Sequence, residues 1–270
     1  MTSLPNPNWK LKNIQSSKSN LEDIGYLNSW IKNISLWKNY ENIEWNDPYF
    51  NNKELYFDKD PWHYYINKYC YRGDNWTFKK VPAFFGCSFT FGIGVKTPFP
   101  MLIQNRYDND TIIPNIGIPG GSAIAIIKSF VAFANIHPMS HAFISLPQID
   151  RFHYSARCDD TWVFDQIVPN ALDKKSPTVT SQKRILSMWM GDMSRAFTTD
   201  YIDWAESVAE SKGIKIFWSS WDGETHKFIK PLVANNFEWP PNDDKKGRDG
   251  MHPSPLVHEN VAQIIWDIIN

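Results

Sequence analysis

A serine stands at the end of an apolar run, in Gly86-Cys87-Ser88-Phe89-Thr90-Phe91-Gly92-Ile93-Gly94. Gly86 lets the backbone turn sharply, so Ser88 could project its hydroxyl and its own amide N–H into one crevice. Further on, Asn115-Ile116-Gly117-Ile118-Pro119-Gly120-Gly121-Ser122 leads into a helical pattern. Glycines at such a junction can bare a backbone amide to a developing oxyanion, because a helix start carries unpaired donors and a partial positive charge. Near the C-terminus, Asp249-Gly250-Met251-His252-Pro253 sets a carboxylate three residues before an imidazole. That offset can bring Asp249 to Nδ1 and fix the tautomer whose Nε2 accepts a proton. A nucleophile, an oxyanion donor and an oriented base are together the parts of an acyl-transfer site.

Each segment also has a plainer reading. Ser88 could cap a tight turn, the glycines could simply open a helix, and Asp249 could sit on the surface beside one of seven histidines. The glycine pair lacks the dinucleotide-binding fingerprint. Only the three segments together favour chemistry.

The elements that must position these residues are short apolar runs bounded by Gly, Pro and Asn. VPAFFG (81–86), TIIPNIG (111–117), HAFISL (141–146) and IKIFWS (214–219) read as buried strands. Residues 121–136 and 181–212 are long enough for helices. In the second, Met193, Phe197, Tyr201, Trp204 and Val208 step by 4, 4, 3 and 4, which predicts one buried face. A last helix follows Ser254 as N-cap and Pro255 in its first turn, with Val257, Val261, Ile264, Ile265 and Ile268 as its apolar stripe. Strands alternating with helices predict an α/β fold: a parallel sheet with right-handed crossovers and helices on both faces, its ligands beyond the carboxyl ends of the strands.

Composition narrows the function classes. The chain has 270 residues, 42% apolar and 21% charged, enough for a substantial core and too rich in hydrophobes for disorder. Its formal net charge is −1, and no Lys/Arg run offers a patch for nucleic acid or anionic lipid. Cys70, Cys87 and Cys158 lack the spacing of a zinc site or a disulfide framework, which predicts a reducing compartment and no metal. The start has no apolar stretch of a signal peptide and no segment reaches the length of a membrane span, so a cytoplasmic protein is expected. The first 80 residues hold 13 of the 23 asparagines and 6 of the 13 tryptophans, so residues 1–79 are expected to form an aromatic, Asn-rich accessory segment on a domain at 80–270.

Over residues 80–270 the chain resembles the SGNH or GDSL hydrolases. Their opening block, Gly-Asp-Ser-x-Thr-x-Gly, matches Gly86 to Gly92 except for Cys87 in place of Asp. Their Asn-x-Gly-x-x-Gly block matches Asn115, Gly117 and Gly120, and their Asp-x-x-His-Pro block matches Asp249, His252 and Pro253. The resemblance implies a flavodoxin-like three-layer fold and a cofactor-independent serine esterase acting on a small-molecule or carbohydrate ester. It assigns Ser88 as nucleophile, His252 as general base, Asp249 as its orienter and the Gly120 N–H as an oxyanion donor. The Gly-x-Ser-x-Gly elbow of α/β-hydrolases is absent, because Thr90 stands where its second glycine would be.

Two departures from that pattern define the alternatives. The family's Gly-x-Asn-Asp block, whose Asn completes the oxyanion hole, is replaced by Pro147-Gln148-Ile149-Asp150. Gln148 could substitute through its side-chain amide. Losing one such donor typically costs about 100- to 1000-fold in rate, so a weak enzyme, or a binding or structural module on the same fold, is the second reading. Cys87 beside the serine admits a third, a thiolate nucleophile, although adjacent residues on a turn point in different directions and a packed, inert cysteine is expected. Between residues 150 and 182 an insertion with His153, Tyr154, Arg157, Trp162 and Phe164 could overhang the site and meet a sugar face or an acidic group. The sequence leaves the oligomeric state open.

Overall fold

The computed structural model describes residues 71–108, 110–151, 192–241 and 252–270, with Asn67, Gly247 and the backbones of strands at 43–44, 63–64, 152–158 and 161–167. Two of those strands, β1 (Ile43–Glu44) and β2 (His63–Tyr64), form a small antiparallel pair. The main sheet has four parallel strands: β3 (Val81–Gly86), β4 (Asn115–Gly117), β5 (Met139–Leu146) and β8 (Lys215–Ser220), ordered β4-β3-β5-β8. The insertion after β5 contains an antiparallel hairpin, β6 (Phe152–Cys158) and β7 (Thr161–Ile167).

That order is the flavodoxin-like one, with the chain leaving β3 toward β4 on one side and leaving β5 toward β8 on the other. The two paths diverge at the carboxyl ends of β3 and β5, where an open α/β sheet forms its ligand crevice. Ser88 follows β3 by two residues and lies at this divide.

Alternation along the strands sends side chains to two cores. Ala83 and Phe85, Ala142 and Ile144, and Ile216 and Trp218 face one side, where α3 (Ala123–Ala134) and α4 (Asp192–Lys212) cover them. Phe84, Phe143 and Phe217 are paired in register across three neighbouring strands on the other side, their rings stacked at 5.4 and 5.2 Å. Over that row lie α2 (Phe99–Gln104), through Phe99 and Ile103, and α6 (Pro255–Ile269), through Val257, Val261, Ala262 and Ile265, while the short α5 (Gly223–Ile229) follows β8. The fold is therefore the expected three-layer α/β sandwich. Ser254 caps α6 by accepting from the Val257 N–H at 3.4 Å, and Pro255 opens the helix, as the sequence implied.

Two expectations change. β4 is strand only from Asn115, because Pro114 has no N–H to give to a ladder; its carbonyl still accepts from Phe84 at 2.9 Å. On α4 the buried stripe is Ser194, Thr198, Ile202, Ala205 and Ala209, one residue on from the predicted face, while Met193 is 47% and Phe197 44% exposed. The period was right and the phase was not. Small residues let α4 lie close against α3, with Tyr201, Trp204 and Val208 flanking the seam. Ala205→Leu should therefore cost about 1–3 kcal/mol through overpacking, and Met193→Ser should stay within about 0.5 kcal/mol. Urea unfolding of the two variants checks this, and the predicted face would reverse their order.

Candidate active site

β3 passes into the site through a turn that only glycine permits. A Cβ on Gly86 would sit 2.0 Å from Thr90 Oγ1 and 3.1 Å from the Ser145 carbonyl. The chain then enters α1 (Ser88–Phe91), with Cys87 as an extended N-cap at φ −89°. Ser88 is the first helical residue, so its N–H falls among those with no acceptor inside the helix. Inside α1, Phe91 N–H donates to the Cys87 carbonyl (3.0 Å) and Gly92 N–H to the Ser88 carbonyl (2.9 Å). Gly92 ends the helix in the left-handed region at φ 81°.

β4 lies against this helix. A Cβ on Gly117 would come 2.2 Å from the Phe91 nitrogen and 2.5 Å from its Cα. After β4, Ile118 N–H donates to the Gly86 carbonyl at 2.7 Å, tying the two strand ends together. Gly121 N–H then donates to the Ile118 carbonyl at 2.7 Å, with Pro119 next and Gly120 at φ 71°. Pro second and a positive-φ Gly third are the signature of a type II turn. In such a turn the Gly120 N–H takes no part in the closing bond. Asn115 Oδ1 accepts from Gly117 N–H at 3.0 Å, and its buried Nδ2 has no partner among the described residues.

His252 precedes α6, and Gly247 N–H donates to its carbonyl at 2.7 Å. Its Nε2 lies 2.8 Å from Ser88 Oγ, across 164 positions of sequence. With the ring proton on Nδ1, the hydroxyl donates to Nε2, the geometry in which the imidazole can take the hydroxyl proton. Ser88 is itself 7% exposed. Phe89 meets the imidazole edge to face at 5.5 Å and stacks on Trp221 at 4.4 Å. Asp249 lies outside the described residues.

Cys87 is 1% exposed, and its Sγ accepts from the Trp221 indole N–H at 3.3 Å and lies 4.0 Å from Ser88 Oγ. It is enclosed by packing, whereas Ser88 faces the imidazole.

Gln148 Oε1 accepts from Arg151 Nε at 2.8 Å, which leaves its NH2 end to donate elsewhere. The Arg151 guanidinium lies 5.4 Å from the Trp221 ring centroid, and Phe89 stacks on the same ring. Burial, with the charge of Asp222 adding to it, raises the Asp150 carboxyl above its ordinary range. Trp239 Nε1 donates to Ser145 Oγ (3.0 Å) and Ser219 Oγ (3.1 Å), closing the ends of β5 and β8. Sequence reading singled out neither Trp221 nor Trp239. Their only sequence signal was a pair of tryptophans following the last sheet strand.

Behind the site His258, on α6, is fully buried and accepts from Phe99 N–H at Nδ1 (3.2 Å). Burial, with the positive charges of Arg72 and His252 adding to it, pushes its imidazole down to about 3. An unfolded histidine near 6.5 binds its proton first, so this group's contribution is intact above 6.5 and is lost as pH falls toward 3, at about 1.4 kcal/mol per unit. Comparing urea unfolding at pH 7 and 5, His258→Asn should shrink the acid destabilisation by about 2 kcal/mol relative to the unaltered protein. An equal loss in both proteins would contradict this.

Among the described residues no three His, Cys, Asp or Glu side chains gather as a metal site, and no helix is long and apolar enough to cross a membrane. No family model and no curated protein matches the sequence. Solved structures do. It is similar to a GDSL-like lipase from Bacteroides thetaiotaomicron at 17% identity, over 70% of this chain and 87% of that one (TM-score 0.39). It is similar to a member of the lipolytic protein G-D-S-L family from Veillonella parvula at 13% identity, over 70% and 98% (TM-score 0.43). A third is the M. smegmatis aryl esterase, at 9% identity over 71% and 98% (TM-score 0.44).

Proposed function

We propose that the chain is a serine ester hydrolase working through an acyl-enzyme. The observation that carries this is the 2.8 Å contact between Ser88 Oγ and His252 Nε2 at the divide of a parallel sheet. Ser88 Oγ attacks the ester carbonyl carbon as His252 Nε2 takes the hydroxyl proton. The tetrahedral oxyanion is held by the N–H groups of Ser88 and Gly120, with the Gln148 NH2 as a third donor. Collapse breaks the bond to the alcohol, which leaves with the proton from His252. Water then attacks the acyl-enzyme, gives its proton to His252, and releases the acid and the Ser88 hydroxyl. Asp249 is assigned to His252 Nδ1, where a carboxylate would hold the tautomer. Small acyl esters are the substrate class, with O-acetyl groups on carbohydrates a narrower set within it.

The replaced Asn block supports a second reading, a fold kept for binding with little turnover. A fluorophosphonate probe tests the choice. Labelling should fall on Ser88, vanish in Ser88→Ala and drop steeply in His252→Ala, alongside hydrolysis of short-chain aryl esters. Folded protein with neither labelling nor turnover would replace the hydrolase reading with the second.

A further inference from the structure

Arg72, 2% exposed, meets the C-terminal end of the nucleophile's helix. Its Nη1 donates to the carbonyls of Phe91 (3.1 Å) and Gly92, and its Nη2 to those of Val95 (2.9 Å) and Lys96 (2.6 Å). One guanidinium therefore spans both arms of the loop that follows α1, with its carbon 5.7 Å from the Phe91 ring centroid.

The four-residue α1 is too short to hold its shape alone. The last carbonyls of a helix have no partner within it, and they form its negative end. Phe91 is the last residue of α1 and Gly92 its C-cap, whose carbonyl also accepts from the Val95 N–H at 3.4 Å, and a cation donating to both carbonyls reinforces that end of the helix. Ser88 lies one turn away, about 6 Å at 1.5 Å per residue, so a shift of this end carries Oγ with it. His252 hangs on a different element and would not follow.

Arg72 is itself anchored. Tyr71 N–H donates to Asn67 Oδ1 (3.1 Å), and Asn67 N–H donates to the Tyr71 carbonyl (2.8 Å). Trp76 packs edge-on against Phe133 of α3 at 4.9 Å, and Thr77 Oγ1 accepts from Ile112 N–H at 3.3 Å.

We propose that Arg72 is a positioning residue for Ser88, so that the end of the N-terminal segment is part of the hydrolytic unit. This rests on the hydrolase reading above. Lysine keeps the charge but is a compact point donor without the planar fork, and it cannot reach both arms of the loop at once.

The test uses the full chain. In Arg72→Lys, kcat should fall by about 10- to 100-fold with KM within about threefold in protein that is less stable but still folded at the assay temperature, since misplacement by about 1 Å can cost a hundredfold. In Arg72→Ala, added guanidinium ion should restore at least about tenfold of the lost kcat, where the same concentration of sodium chloride restores none. Full turnover in Arg72→Lys, or a loss in Arg72→Ala that only tracks the unfolded fraction, would overturn the proposal. If the unaltered protein neither labels nor turns over, the hydrolase reading fails and catalytic positioning fails with it. Hydrogen exchange of the Gly92 to Lys96 amides then judges the clamp alone: faster exchange in Arg72→Ala retains it as structural, and unchanged exchange removes it.

Discussion

Ester turnover should fall by about a millionfold in Ser88→Ala and by a similar factor in His252→Ala, and the double variant should be no slower than either. The reason is the shared proton. Oγ and Nε2 are 2.8 Å apart, and neither group does its part without the other. Removing the hydroxyl leaves the imidazole nothing to deprotonate, and removing the imidazole leaves an alcohol that is a poor nucleophile at neutral pH. What survives is the pull of the amides on the carbonyl oxygen, worth about a thousandfold over water in sites of this design. Asp249→Asn should lose about four orders of magnitude, if the carboxylate fixes the imidazole tautomer as its offset from His252 suggests. Cys87→Ala should retain turnover within about tenfold, since Sγ is engaged by the Trp221 indole N–H and is 1% exposed. Steady-state kinetics on an aryl ester separate these cases. Substantial turnover in Ser88→Ala, abolished by iodoacetamide, would move the nucleophile to Cys87.

How much of this was readable beforehand follows from the range of each interaction. The strands were visible because burial on both faces writes continuous apolar runs, and the Phe84, Phe143, Phe217 row was implicit in three of them. Glycine turns were visible too, because a positive φ or a close approach leaves a local residue requirement. Phase was harder. A helix with large residues at one set of positions and small ones a residue later offers two stripes of equal period, and on α4 the small set won through close packing against α3. Arg72 left no trace, since its partners are carbonyls 19 to 24 residues away and carbonyls have no residue type. Trp221 meets Cys87 across 134 positions, which local pattern cannot register. The composition change near residue 80 marks the start of β3; Tyr71 and Trp76, just before it, already pack against the core.

Gly117→Ala should lower stability by about 3 kcal/mol and kcat by about a hundredfold or more, although Gly117 touches no substrate in the proposed reaction. Its added Cβ would lie 2.2 Å from the Phe91 nitrogen, 2.5 Å from its Cα and 2.8 Å from its Cβ, and the first two are backbone. A side chain could swing aside, but the Phe91 N–H is already bonded to the Cys87 carbonyl inside α1. Relief requires one of two movements. Either α1 moves away, drawing Ser88 from His252, or β4 retreats and strains the Ile118 N–H to Gly86 carbonyl bond at 2.7 Å, displacing the turn that carries Gly120. Both routes displace a part of the proposed site as well as the packing. Gly223→Ala is the matched control: nothing lies within 4 Å of its Cβ, and at the start of a helix it should be neutral or stabilise by up to about 1 kcal/mol. Urea unfolding and ester turnover on both variants give the answer. If Gly117→Ala matched Gly223→Ala in both measurements, β4 would not bear on the nucleophile's helix, and the seating of Ser88 described above would be lost with that contact.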